Sequence, residues 1–272
     1  MTRYVFVAGL HRTGTSLLTR LLSSHPEITA ITGSPAPEDE GCYLQGAIPH
    51  TARHGIPGHY ALDPAQHHVE GSCYDTLETR RRLAADWDRW FPARGTWRIE
   101  KSPVNLMRMR LYQQLFPLSQ FIVILRHPEA MAAALAKWTD RGPAELVAYG
   151  LDAYDIVARD LEYLHAACMI RYEDLVRDPQ SVLSGLFAFL DLASRPLSEP
   201  VRNGNDDYSY GDREGAAFAS RMARWGYAPG GGVKQFAPLV RHPLRAVRNR
   251  AASLLPIEDG IPKKEQKANI CQ

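Results

Sequence analysis

The sequence predicts an α/β fold in which helices cover both faces of a central, mainly parallel sheet, giving three layers. Three observations predict it. Short apolar segments alternate with amphipathic ones along the chain, 45% of the residues are hydrophobic, and the length of 272 residues suits one enzyme-sized domain. Alternation of this kind is typical of parallel sheets with right-handed crossover connections. We predict a single domain over residues 1–255 and a polar tail over 256–272.

We predict buried strands where the sequence has short apolar runs, and helices where apolar residues recur at helical spacing. The predicted strands lie near residues 4–8, 96–100, 120–125 and 167–171. The predicted helices lie near residues 15–24, 76–90, 104–115, 128–138, 144–164 and 180–190. A long segment rich in Gly, Pro and His, over about 33–72, separates the first two helices. Loops of that length are usually functional or disordered.

The most informative stretch is Tyr4–Leu18, where an apolar run passes through a glycine-containing turn directly into a helical pattern. Gly9 and Gly14 permit the backbone to approach an anion closely, and the start of a helix exposes unpaired N–H groups and the positive end of the peptide dipoles. Three hydroxyl donors accompany them: Thr13, Thr15 and Ser16. The stretch therefore indicates a phosphate-binding loop.

This loop differs from that of the nucleoside triphosphatases, which have a lysine directly after the second glycine. Thr15 occupies the lysine position here, and the cation is Arg12, inside the loop. The sequence shows no convincing acidic strand end that would hold magnesium beside the loop. Phosphate binding without a metal is thus the better interpretation, and the predicted fold is P-loop-like.

The loop sequence Arg12-Thr13-Gly14-Thr15-Ser16 resembles, position by position, the 5′-phosphosulfate loop of the sulfotransferases. The pattern is closest to the bacterial and tyrosylprotein-type members. The resemblance implies that 3′-phosphoadenosine 5′-phosphosulfate is the donor, that 3′-phosphoadenosine 5′-phosphate is the product and that no metal takes part. It implies donor binding by His11 together with the five loop residues, and a second phosphate site further along the chain.

The second phosphate site is expected after the apolar run Phe121–Leu125, which ends in a cation. Ligands of open α/β sheets bind at the carboxyl ends of the strands. In the sulfotransferases, an arginine after this strand and a serine eight residues later hold the 3′-phosphate. Arg126 matches the arginine, whereas Ala134 occupies the serine position. Lys137 or a backbone donor could substitute for the missing hydroxyl.

Two more segments extend the resemblance, which covers residue 4 to about residue 190. The segment Arg98–Asn105 resembles the Lys-x-Pro segment of the family, and Met169–Leu175 resembles its Arg-Tyr-Glu-Asp-Leu signature. We interpret Tyr172, Glu173 and Asp174 as turn and capping residues, because acidic and hydroxyl side chains often cap helix starts.

Sulfuryl transfer requires a base for the acceptor hydroxyl and positive charge around the transferring group. Arg12 and Lys101 are the candidates for that charge. Tyrosine sulfotransferases carry a catalytic glutamate after the first helix, which makes Glu40 the first choice for the base and Glu38 the second. Cytosolic small-molecule sulfotransferases use histidine, so six histidines stay open: His11, His50, His54, His59, His67 and His68.

Composition limits the partners and the location. The net charge of +2 is spread over interleaved acidic and basic residues, which argues against a nucleic-acid partner. No apolar run approaches the ~20 residues that span a bilayer, and the first strand leaves no room for a signal peptide. Four scattered cysteines fit a reducing cytoplasm. The expected partner is an acceptor with a hydroxyl group: a carbohydrate, a lipid-like alcohol, a phenol or a peptide tyrosine.

Two other functions compete with sulfuryl transfer. A nucleotide-dependent P-loop kinase would need magnesium and would bind ATP. A non-catalytic nucleotide-binding protein is favoured by the alanine at position 134, where the family has a phosphate-binding serine. The sequence does not discriminate among the four acceptor classes.

Overall fold

A computed structural model of the chain describes residues 3–93, 95–197, 200–208 and 216–255. The predicted tail over 256–272 lies outside the described residues. Eight strands occur in the described part: β1 Arg3–Ala8, β2 Ile28–Ala30, β3 Trp97–Lys101, β4 Gln120–Leu125, β5 Ala167–Arg171, β6 Tyr227–Ala228, β7 Gly232–Val233 and β8 Leu239–Arg241. The main sheet has the order β2-β3-β1-β4-β5-β8, while β6 and β7 form a separate antiparallel pair.

The main sheet is parallel from β2 to β5, and only β8 runs antiparallel to its neighbour. This confirms the predicted fold class and the four predicted strands. In the register, Val7 of β1 is opposite Lys101 of β3, and Ala8 is opposite Val123 of β4. The carboxyl ends of β1, β3 and β4 therefore meet at one edge, where the loop after β1 also lies. The sequence did not predict the edge strands β2 and β8, because three residues are too few to show a period.

The helices of the described part are α1 Thr15–Leu22, α2 Leu77–Asp88, α3 Met109–Leu115, α4 Pro128–Leu135, α5 Pro143–Leu161, α6 Tyr172–Arg177, α7 Pro179–Phe189, α8 Ala219–Arg224 and α9 Arg245–Leu254. Capping side chains explain where several of these helices begin. The Thr76 hydroxyl caps α2 by accepting the Thr79 N–H at 3.1 Å, and the Asp178 carboxylate caps α7. The helix predicted over 104–115 begins later, because Pro103–Met107 forms a 3₁₀ turn.

The sheet lies between two apolar layers, which confirms the three-layer arrangement. Phe6 of β1 points to one face, where it stacks on Tyr112 of α3 at 4.6 Å and contacts Trp87 of α2. The adjacent Val5 points to the other face, where α1, α7 and α9 pack. All four residues from Val5 to Ala8 are fully buried. Burial of both faces explains why the strand reads as a continuous apolar run.

The long segment between β2 and α2 is packed against the carboxyl edge of the sheet. It contains four short 3₁₀ turns, over 37–39, 41–43, 60–62 and 64–66. The Tyr60 hydroxyl donates to the Pro103 carbonyl at 2.8 Å, and the ring is 2% exposed. This segment therefore builds one wall of the edge where the predicted site lies. Within the described ranges, no helix is both long and apolar enough to cross a membrane.

Candidate active site

The loop between β1 and α1 has a backbone that suits anion binding. Gly14 is the N-cap of α1 with φ 98°, and Arg12 also has a positive φ of 67°. The Thr13 hydroxyl donates to the Leu10 carbonyl at 2.8 Å and closes the turn. A β-carbon at Gly14 would lie 2.6 Å from the ring of Tyr172, so this position requires glycine for both conformation and space. The unpaired N–H groups of the first turn of α1 therefore lie directly after a tightly folded loop.

Arg126 lies beside this loop, although 114 residues separate it from Arg12. It is 5% exposed, and its Nη1 donates to the Arg12 carbonyl at 2.6 Å. Its Nε donates to Asn205 Oδ1 at 2.8 Å, and its guanidinium lies 4.6 Å from the centre of the Tyr172 ring. Within the described residues, Arg126 Nη2 is buried without a hydrogen-bond partner. A buried cationic donor without a partner is costly, and an anion beside the loop would satisfy it.

Ala134 is 1% exposed in the packed helix α4, and its methyl group cannot replace the hydroxyl expected at that position. Other polar side chains surround Arg126 instead. Besides Asn205, the ring of Tyr208 lies 5.6 Å from its guanidinium, and the Tyr172 hydroxyl accepts the Gly204 N–H at 2.7 Å. Residues 204–208 were not predicted, because no local sequence pattern links this stretch, most of which is a 3₁₀ turn, to a strand end about 80 residues earlier.

The candidate bases and the candidate lysine form one cluster at the same edge. Lys101 is 5% exposed, and its Nζ donates to the Glu38 carbonyl at 2.8 Å. The same Nζ lies 3.5 Å from Glu40 Oε1. Ser16, at the start of α1, donates from its hydroxyl to Glu38 Oε2 at 3.0 Å. The structure therefore brings together four residues that the sequence singled out from three separate segments.

The backbone of this cluster is strained. Glu38 and Asp39 both have positive φ values, 52° and 53°, which cost energy in residues other than glycine. The Asp39 carboxylate holds the turn by accepting the Ser34 N–H at 2.8 Å and the Ser34 hydroxyl at 2.7 Å. Together with the Lys101 contact, these bonds fix the direction in which the chain enters Glu40.

Glu40 has the electrostatic character of a base. Burial raises the pKa of its carboxyl to about 7, and this effect outweighs the nearby ammonium of Lys101, which lowers the pKa. The carboxylate of Glu100 raises it further. A carboxyl that titrates near neutrality matches the requirement for general base catalysis.

Glu100 is a buried support of this cluster that the sequence analysis did not single out. It is fully buried, and burial raises its pKa. One of its oxygens accepts the Gly41 N–H at 3.0 Å and the Ser102 hydroxyl at 2.5 Å, and the other accepts Asn105 Nδ2 at 2.6 Å. Glu100 therefore fixes the backbone directly after Glu40. An acidic residue inside a predicted strand, directly before the candidate Lys101, was the signal that could have identified it.

The six histidines are weaker candidates for the base. Burial lowers the pKa of His11 to about 4, and its ring lies edge-on to Tyr60 at 5.2 Å. Burial also lowers the pKa of His50 to about 3 and that of His68 to about 4. The other three serve local structure: His67 bonds Asp160 at 2.7 Å, His54 accepts the Thr51 N–H at 2.9 Å, and His59 precedes a 3₁₀ turn.

Arg12, the other candidate cation, is exposed. Its guanidinium lies 5.1 Å from the centre of the Trp138 ring, which is itself 47% exposed. No bond in the described part of the chain ties this side chain to Lys101 or Glu40. Its participation in the transfer step stays a prediction.

A cavity of about 560 Å³ adjoins the cluster. Ser16, Glu38 and Lys101 line one end of it. From there it extends along the polar face of α1 and past β2, a path lined by Thr19, Arg20, Ser23, Ser24 and Thr29. The residues on α1 recur every three or four positions, so they form one stripe of the helix. The cavity connects the cluster with the surface.

The fold and this site define the chain as a P-loop-like α/β enzyme. The model of the sulfotransferase family matches residues 4–196. The chain belongs to the sulfotransferase family, as its loop sequence predicts, and it is a sulfotransferase enzyme. No curated protein sequence matches it.

One solved sulfotransferase structure shares the fold at low sequence identity, and two others match with lower TM-scores. A sulfotransferase from Alicyclobacillus acidocaldarius is 20% identical, with a TM-score of 0.50 over 81% of this chain and 92% of that one. The sulfotransferase domain of the curacin biosynthetic pathway is 18% identical, with a TM-score of 0.44 over 94% and 98%. The domain from the Synechococcus PCC 7002 olefin synthase is 18% identical, with a TM-score of 0.43 over 96% of each chain.

Proposed function

We propose that this enzyme transfers a sulfuryl group from 3′-phosphoadenosine 5′-phosphosulfate to a hydroxyl group of an acceptor and releases 3′-phosphoadenosine 5′-phosphate. One observation carries the proposal. A largely buried glutamate with a pKa near 7, Glu40, lies next to a buried lysine that is linked through Glu38 and Ser16 to the end of the phosphate loop where α1 begins. Base, cation and anion-binding loop thus meet at one edge of the sheet.

The residues present fit an anionic donor with two phosphate groups. At one end of the proposed donor site, the loop over 9–16 leads into the unpaired N–H groups at the start of α1. At the other end, Arg126 Nη2 is buried and has no hydrogen-bond partner among the described residues. The buried Nδ1 of His11 is likewise without a partner in the described ranges. Bound there, the donor supplies an activated sulfuryl group. The ring of Tyr172, between Gly14 and Arg126, provides an aromatic surface between the two ends.

In the proposed reaction, each residue of the cluster has a separate role. Glu40, in its ionised form, accepts the proton of the acceptor hydroxyl, so that the oxygen becomes a better nucleophile. Lys101 places its ammonium where negative charge increases during the transfer. Glu38 holds Lys101 through its carbonyl oxygen and Ser16 through its carboxylate. Glu100 holds the Gly41 N–H and so keeps Glu40 in place.

The acceptor is proposed to enter through the cavity that ends at Ser16, Glu38 and Lys101. This route brings a hydroxyl group to the base from the side of α1 and β2. We also infer a cytoplasmic location, because Cys42, Cys73 and Cys168 are free thiols.

The test uses the full-length protein with radiolabelled donor and a panel of carbohydrate, alcohol, phenol and tyrosine-peptide acceptors. We expect label to reach at least one acceptor class without added metal. Calorimetric titration should show that 3′-phosphoadenosine 5′-phosphate binds in the presence of a chelator and that ATP with magnesium binds far more weakly. Tight binding of ATP only with magnesium, together with no binding of the bisphosphate, would overturn the proposal in favour of a kinase.

A further inference from the structure

A second cavity lies at the amino ends of the strands, at the edge of the sheet opposite the phosphate loop. Its volume of about 460 Å³ is within the range of small-molecule sites. Its walls are the starts of β1 and β3, one face of α2 and the turn between α3 and β4. Strand β1 spans six residues at roughly 3.3 Å each, which places this cavity roughly 20 Å from the phosphate loop.

The charged residues of this cavity are mainly basic. Arg3, Arg80 and Arg98 line it together with a single acidic residue, Asp88. Asp88 forms an ion pair with Arg98, and Arg98 also hydrogen-bonds the Tyr4 hydroxyl. The Arg3 guanidinium lies 4.4 Å from the centre of the Trp97 ring, on the opposite face of the sheet from α2, so the charge left for a ligand comes from Arg80. Charge complementarity therefore favours an anionic ligand.

The rest of the wall is apolar and partly aromatic. The rings of Tyr4 and Phe116 lie 4.7 Å apart, and both face the cavity. Leu118 is 53% exposed at its rim, and Ala84 provides only a methyl group where α2 faces it. The small side chains of α2 leave room for a ligand in the cavity. The rings of Tyr4 and Phe116 provide a surface on which a flat apolar group can pack.

A buried polar atom independently indicates a ligand. Ser119 lines the cavity and is 1% exposed, yet its hydroxyl has no hydrogen-bond partner among the residues that the structure describes. Buried hydroxyl groups almost always have a partner, because an unpaired one costs free energy. A ligand oxygen in the cavity would supply the missing partner.

We propose that this cavity binds a small aromatic anion, that is, a flat ring system bearing a carboxylate, sulfonate or phosphate group. The ring packs against Tyr4 and Phe116, the charged group pairs with Arg80, and the Ser119 hydroxyl bonds an oxygen of the ligand. The site is separate from the transfer cluster, and it does not depend on the proposed reaction.

The test is a calorimetric titration of the full-length protein with 1-naphthoate, at a saturating concentration of 3′-phosphoadenosine 5′-phosphate so that the phosphate loop is occupied. We expect one naphthoate to bind per chain, and we expect the cation 1-naphthylmethylamine to bind much more weakly. Arg80→Glu should weaken naphthoate binding about fivefold or more, because it reverses the charge that pairs with the ligand. Ala84→Phe should abolish binding by filling the space.

The matched control is Arg81→Glu, which makes the same charge change at the neighbouring exposed position of α2, outside the cavity lining. It should leave the affinity unchanged, and circular dichroism should show that all three variants are folded. Equal weakening by Arg81→Glu, or wild-type binding by both cavity variants, would overturn the proposal. So would loss of naphthoate binding when the bisphosphate is added. A change from dimer to monomer in Ala84→Phe would show instead that a second copy of the chain covers the cavity.

Discussion

Replacement of Glu40 by glutamine gives the sharpest test of the proposed mechanism. The change keeps the size and polarity of the side chain and removes its ability to accept a proton. General base catalysis contributes roughly 100- to 10,000-fold, so we expect the turnover rate to fall by about that factor. The affinity for 3′-phosphoadenosine 5′-phosphate should change little, because Glu40 bonds Lys101 and no residue of the phosphate loop in the described structure.

The pH dependence follows from the pKa of Glu40, which burial raises to about 7. The ionised form is the base, so about a tenth of the molecules are active at pH 6, about half at pH 7 and about nine tenths at pH 8. The wild-type rate should therefore increase with pH and level off above pH 8. Lys101 lowers the pKa of Glu40, so Lys101→Met should move the midpoint of this profile to higher pH as well as reduce the rate.

The assay is the initial rate of label transfer from radiolabelled donor at a series of pH values, with an acceptor identified by the panel. Glu38→Gln tests the second candidate, and Glu162→Gln, an exposed position after α5, is the control. A Glu40→Gln variant that retains the wild-type rate and midpoint would refute the assignment. If Glu38→Gln alone removed the pH dependence, the base would be Glu38.

Three further predictions concern the phosphate sites and the core. Arg126→Gln should weaken binding of 3′-phosphoadenosine 5′-phosphate by about 1.5–3 kcal/mol in a calorimetric titration, because it removes a charged hydrogen-bond donor. Gly14→Ala should lower the free energy of unfolding by about 1–3 kcal/mol more than Gly33→Ala does. Both glycines have a positive φ, but only a β-carbon at Gly14 would collide with a neighbouring ring. Equal losses of stability in thermal denaturation would contradict this. Arg171→Ala should cost about 3 kcal/mol in urea unfolding, because this buried arginine bonds a carboxylate and two carbonyls. Arg177→Ala, which removes the exposed partner of the same carboxylate, should cost less than about 1 kcal/mol.

Much of the fold could be predicted from local patterns. Strands β1, β4 and β5 are mainly apolar runs because both of their faces are buried, and the phosphate loop is visible because all of its glycine and hydroxyl residues lie within residues 9–16. The family followed from that loop, and the family model confirms it. The short strands β2 and β8 were missed, since their pairing depends on longer strands elsewhere in the chain and not on their own three residues.

The candidate site was predictable only in part. The sequence supplied Glu40, Lys101 and Arg126 as separate candidates. It could not show that Lys101 Nζ lies 3.5 Å from Glu40 Oε1. It also placed Tyr172 among the residues that support a turn, whereas the ring contacts the guanidinium of Arg126. Asn205 gave no signal at all, because it lies in a short 3₁₀ turn without a distinctive pattern and its contact with Arg126 crosses 79 residues of chain.

The sequence by itself thus determined the phosphate loop, the order of the central elements and the family, because each depends on residues that are neighbours along the chain. Only the tertiary structure showed that the carboxyl of Glu40 has a raised pKa. The pKa of Glu40 depends on its burial and on the charges of Lys101 and Glu100, which lie about 60 residues further along the chain. Desolvation and charge proximity are properties of three-dimensional packing, and no spacing in the sequence encodes them.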